Sequence, residues 1–195
     1  MVKKFSLRKE YSDAWKYIKQ SKEYIYFTIS LFFLFAVVGF FITPPQMVSE
    51  KILEFIKAIL EQTKDLSGGE LISYILLNNI KSSFFGFLFG IFFGLFPIIA
   101  ILSNGYLLGY VGATSVKVDG LISLWRIFPH GIFELPALFL ALGLGIKFGS
   151  VFLKKDVKKT FLNYLIESLR VFLLVIVPLL IIAAIIEGIL IIGIK

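Results

Sequence analysis

The chain has no cysteine and a single histidine among its 195 residues. Without cysteine there is no disulfide framework, no thiolate metal site and no cysteine nucleophile. One histidine cannot supply the paired-histidine zinc signature of metalloproteases. No nucleophile-elbow serine, P-loop, dinucleotide glycine fingerprint or EF-hand loop occurs either. Charge is scarce at 17% of residues, whereas 58% are hydrophobic, 22 are Phe and the mean hydropathy is +0.90. A soluble domain of this length cannot hide so much apolar surface, but a bilayer accepts it. The expectation is an integral membrane protein that is not an enzyme and carries no metal or cofactor.

What charge there is sums to +7 and is unevenly placed. Residues 1–23 hold Lys3, Lys4, Arg8, Lys9, Lys16, Lys19 and Lys22 against Glu10, Asp13 and Glu23. The stretch 43–83 is nearly neutral, and 150–162 carries Lys154, Lys155, Lys158 and Lys159 against Asp156. By the positive-inside rule the N-terminus and 150–162 are cytoplasmic, and 43–83 is outside. Lipid headgroups account for these lysines, so a nucleic-acid partner is not expected. The first 23 residues are too long and too polar, and the apolar run after them too extended, for a cleaved signal peptide. Leu7, Tyr11, Ala14, Trp15 and Ile18 share one helical face instead, predicting an interfacial helix.

Runs long enough to cross roughly 30 Å of hydrocarbon then set the layout. Residues 24–42 form a first span, stopped by Thr43-Pro44-Pro45. Over 47–66, within an extracytoplasmic stretch 43–70, Ile52, Phe55, Ile56, Ile59 and Leu60 oppose Glu50, Lys51, Glu54, Lys57, Glu61 and Lys64. This is an amphipathic helix, with Ser49 as candidate N-cap and Ser67-Gly68-Gly69 as its stop. It either skims the membrane or docks a protein partner. Three crossings are expected next, at 84–102, about 105–118 and about 132–150, with Ser103-Asn104 in a cytoplasmic turn. The 105–118 stretch is short, so it is either tilted or re-entrant. Residues 161–194 supply the last span, bent at Pro178. Gly86, Gly90 and Gly94, continued by Gly105 and Gly109, form a small-residue seam. It serves packing within the bundle or a homo-oligomer.

The sharpest chemical signal is His130 with Glu134, one helical turn apart in an apolar stretch. Ionisable groups in lipid are costly and normally pair or face water. Two readings stand: a structural hydrogen-bonded pair, or an ion or proton site. Asn78, Asn79 and Asn104 are the candidate supporting polar groups, and two ligands are too few for a metal. Glu187 is the other acid in an apolar span, either snorkelling outward or pairing with Arg126.

Asn104-Gly105 after a glycine-rich span, then Pro129-His130-Gly131, Glu134-Leu135-Pro136-Ala137 and the span with Gly143, Gly145 and Gly149, resemble the stage II sporulation protein M family. The resemblance covers roughly residues 20–195 and extends to a five-span layout with an outer amphipathic insertion. In spore-forming bacteria, family members belong to a membrane complex with cell-wall hydrolases that drives engulfment. Homologues also occur in bacteria and archaea that never sporulate, so the resemblance implies the fold and scaffold or permease behaviour without the process. The expected architecture over 1–195 is thus all-α: one polytopic bundle of about five transmembrane helices, N-terminus cytoplasmic and C-terminus outside, in the cell membrane. Its expected partners are the bilayer and proteins bound through 47–66.

Overall fold

A computed structural model describes the backbone of residues 6–194, with side chains for 6–124 and 131–191. Among the described residues all regular structure is helical. Eight α-helices follow in order: α1 (Leu7–Gln20), α2 (Lys22–Phe41), α3 (Gln46–Thr63), α4 (Gly68–Leu88), α5 (Leu95–Asp119), α6 (Phe128–Gly149), α7 (Val157–Val171) and α8 (Val177–Ile194). Five helical stretches are long and apolar enough to cross a membrane: 22–41, 68–91, 95–119, 131–153 and 157–191.

Local chemistry sets most of the boundaries. After α2, Pro44 and Pro45 withhold backbone donors, and the Tyr106 hydroxyl donates to the Ile42 carbonyl at 3.0 Å, satisfying one orphan acceptor of the helix end. The helix α3 starts directly after Pro45, so Ser49 lies inside it and not at its cap. Ser67 does not stop α3 either. It opens α4 through a reciprocal capping box, in which its own N–H donates to Glu70 at 2.8 Å. Between α4 and α5, a 3₁₀ turn over Phe89–Ile91 leads into Phe93 (φ 56°) and Gly94 (φ 75°), a left-handed reversal suited to glycine.

This turn corrects the expected layout. The second span is 68–91 and the third 95–119, not 84–102 and 105–118, and Ser103-Asn104 lies inside α5 instead of in a turn. Asn104 fits mid-helix because its amide donates to the Ala100 carbonyl at 2.8 Å. The last span reorganises at a π-helical turn, Phe172–Ile176, directly before Pro178. Proline cannot donate to the preceding turn, and the wider turn absorbs the mismatch.

Side-chain register gives the helix directions. Gly105, Gly109 and Gly112 meet Phe32, Ala36 and Phe40 in turn, so α2 and α5 run parallel. Gly86 faces Leu142, while Gly90 and Gly94 face Gly145 and Ile146, so α4 and α6 are parallel too. Ile25 against Gly143 and Phe32 against Phe139 make α2 and α6 antiparallel. The result is an alternating bundle, with α1, the α4–α5 turn and the lysines at 154–159 at one end, and α3 at the other. Helix α6 is central: 61% of its most apolar stretch is buried, against 17–33% in the other four spans. The remaining apolar surface of those four faces outward, as a lipid solvent requires.

Candidate functional site

At the α3 end of the bundle, α3, α4, α6 and α8 surround a cavity of about 500 Å³. Its walls are mostly apolar, including Leu71, Ile75 and Ile191, and its carboxylates and amides come from three spans. Helix α6 supplies Glu134, α8 supplies Glu187, and α4 supplies Asn78 and Asn79. Ile59, Leu60 and Thr63 of α3, with Lys64 directly after it, close one side. The local sequence explains the convergence. Glu134 lies two residues before Pro136, near the start of α6. Ile72 and Gly188 touch across the antiparallel α4–α8 pair, setting Glu187 at the depth of the first turns of α4.

Carboxylate oxygens and amide carbonyls are hard donors suited to protons and oxygen-seeking cations. Among the described residues, no group of three or more His, Asp or Glu side chains forms a metal site. The His130 side chain lies outside the described residues, as do those of Trp125 and Arg126. Thus of the candidate residues, Glu134, Asn78 and Asn79 share this cavity and Asn104 does not. Asn104 sits on the exposed face of α5, next to Ser103. Ser103 lines a second cavity of about 450 Å³, where α3 (Val48, Ile52, Phe55) overhangs α2 and α5.

The glycine seam is divided between two contacts inside the bundle. A Cβ on Gly90 would fall on the Gly145 carbonyl, one on Gly105 on the Phe32 carbonyl, and one on Gly109 on the Ala36 carbonyl. A Cβ on Gly86 would meet the Leu142 side chain at 2.6 Å. Gly94 forms the turn. Backbones therefore touch where dispersion and close approach must replace the hydrophobic effect.

A second polar cluster, at the opposite end, escapes sequence reasoning. Lys147 of α6 is only 5% exposed. Its ammonium donates to Ser21 Oγ at 2.9 Å and lies over the rings of Tyr17 (3.8 Å) and Tyr164 (5.1 Å). Ser21 in turn donates to the Tyr17 carbonyl at 2.7 Å, and the Ser168 hydroxyl donates to Tyr17 Oη at 3.3 Å. Burial pushes the Tyr17 phenol above its ordinary range, with the Ser168 contact acting the other way. Beside the cluster, Arg170 donates from Nε to Glu10 at 2.6 Å and from Nη1 to Glu167, fastening α1 to α7. The Glu167–Arg170 spacing of three residues was readable. The Lys147–Ser21 contact, 126 residues apart, was not.

No solved structure matches this chain. A 101-residue stretch is 35% identical to an uncharacterized protein of Methanocaldococcus jannaschii, covering 49% of this chain and 45% of that protein. The match therefore spans less than half of the relative's length. The family profile of Stage II sporulation protein M matches residues 28–190, from the first span through most of α8. With most of its length inside that match, the chain belongs to the stage II sporulation protein M family.

Proposed function

We propose that this chain is a non-enzymatic assembly subunit of a membrane complex, holding protein partners against the bilayer through residues 47–66. The observation that carries this reading is the state of α3. It is an 18-residue amphipathic helix with no buried residue, and Met47, Phe55 and Leu60 are each more than half exposed. Helix α3 buries no residue against the five spans and only roofs the two cavities, so much of its apolar face stays open to the lipid interface and to a partner. The lysine-rich end is the cytoplasmic one in this reading, with the N-terminus inside, and α3 and the C-terminus outside. Purification from gently solubilised native membranes tests it. A stoichiometric partner that disappears when 47–66 is replaced by an unrelated amphipathic helix supports the scaffold, and unaltered composition removes it.

The cavity favours a second reading, an ion- or proton-linked permease component. Two carboxylates and two asparagines facing one mostly apolar space, with Lys64 beside them, supply the groups of a relay. Flux through proteoliposomes, lost on Glu134→Gln while the chain stays folded, would favour this reading over the scaffold.

A further inference from the structure

Lys81 is an exposed cation in the middle of a membrane-length helix. It lies within 68–91, about 20 Å along the helix from Gly68 and about 15 Å from Ile91 at 1.5 Å per residue. Against roughly 30 Å of hydrocarbon, that is near the bilayer midplane. The side chain is exposed, and among the described residues it takes part in no hydrogen bond or ion pair. It does not line the cavity one turn above, where Glu134 and Glu187 sit. From this depth the aliphatic stem cannot carry the ammonium to either headgroup layer.

The surface around Lys81 is built like a contact. Lys81 and Phe85 of α4 and Phe89 of the following turn fall four residues apart on one stripe, which starts beside Asn78 of the cavity wall and is flanked by the exposed Ser82. Phe85 stacks on Phe89 at 5.5 Å, and Phe96 of α5 meets both Phe89 and Phe92 at 5.5 Å, so the stripe continues across the turn as a joined aromatic face. An unpaired cation at midplane asks for an anion at the same depth. Headgroup phosphates are too far away. A second copy offers none at that depth: Glu23, Glu70 and Asp119 stand at span ends, Glu134 and Glu187 face the cavity, and Glu167 is already paired.

We infer that the Lys81 stripe docks a transmembrane helix of another protein, and that this helix presents an Asp or Glu to Lys81 near the bilayer midplane. This rests on the scaffold reading and names the chemistry of one partner.

The absence of cysteine makes the test direct. Full-length chains carrying Phe85→Cys, on the stripe, or Leu60→Cys, on α3, are expressed in native cells. Their membranes are treated with an apolar thiol-reactive benzophenone and illuminated. Phe85→Cys is expected to capture one protein whose span contains an Asp or Glu. Capture should fall about tenfold in a Lys81→Leu background, persist with Lys81→Arg, and return when Lys81→Glu is combined with lysine at the partner's acid. Capture of lipid alone, of a second copy, or of a span without an acid overturns the inference, as does failure of the charge exchange. Capture from Leu60→Cys but not Phe85→Cys sinks the inference and leaves the scaffold standing; capture from neither sinks both. The purified Lys81→Leu chain should keep its unfolding midpoint in detergent. A lowered midpoint would make Lys81 an internal structural group and also overturn the inference.

Discussion

Gly109→Ala should loosen the whole molecule. The new methyl would lie far inside van der Waals distance of the Ala36 carbonyl oxygen, with the Phe40 backbone nitrogen 2.8 Å away. Neither obstacle is a side chain that can rotate aside, so α2 and α5 must separate along their contact. Overpacking in a core typically costs about 1–3 kcal/mol, and a backbone-to-backbone clash belongs at the upper end, about 2–3 kcal/mol. Gly69→Ala is the control. It changes the same atoms in a helix where nothing lies within 4 Å of the new methyl, so it should gain about 0.5–1 kcal/mol from helix propensity. Reversible unfolding in mixed micelles, followed by helical signal and by the chemical trapping of single cysteines placed on α2, gives both values. Pairing Gly109→Ala with Gly39→Ala should be sub-additive, because both sit on the α2–α5 contact. Pairing it with Gly90→Ala on the separate α4–α6 contact should be closer to additive. If Gly109→Ala and Gly69→Ala prove equally harmless, the parallel α2–α5 contact is wrong.

Other perturbations reach different parts of the structure. Lys147→Met should shift stability by less than about 1 kcal/mol, because a buried charge is exchanged for an apolar group of similar volume. A double-mutant cycle with Tyr17→Leu should still report a cation–π coupling of about 1–2 kcal/mol, and zero coupling would remove Tyr17 from the cluster. Arg170→Gln should release α1 from α7, read as faster amide exchange across residues 8–20 with 68–91 unchanged; uniform acceleration would contradict a local fastening. Ser67→Ala should cost about 1 kcal/mol by removing the α4 cap, measured by unfolding, and no change would argue against the capping box.

Much of the fold was legible from residues alone, and the errors have physical causes. The first span, the central 131–153 helix and the last span are dominated by long apolar runs that outweigh their few charges, so length and hydropathy define them. The middle two were misplaced because Asn78, Asn79, Lys81, Ser82 and Ser83 lie inside a span and read as a loop to any hydropathy argument. The Ser103-Asn104 pair misled the same way, since its amide turns back on its own helix. Ser67 and Glu70 had the spacing of a capping box, a signal for a helix start that the glycines after it disguised as a stop. Glu134 and the two asparagines were legible as polar groups out of place. Their convergence with Glu187 depends on how α4, α6 and α8 pack, which no local pattern encodes. The cage around Lys147 joins α1, α6 and α7 and depends on the tertiary fold in the same way.

The parallel pairing of α2 with α5 and α4 with α6 sets a timetable for biogenesis. Two neighbouring spans joined by a short loop run in opposite directions and can pair as they leave the ribosome. Here each glycine-lined face must wait for a helix that is not the next one made. At ordinary synthesis rates the delay between Phe41 and Asp119 is on the order of ten seconds. During that interval α2 sits in the bilayer with its close-contact backbone uncovered, and α4 then waits in turn for α6. The vulnerable moment of this protein is therefore its insertion, where a misplaced neighbour would compete for the same bare glycine surface.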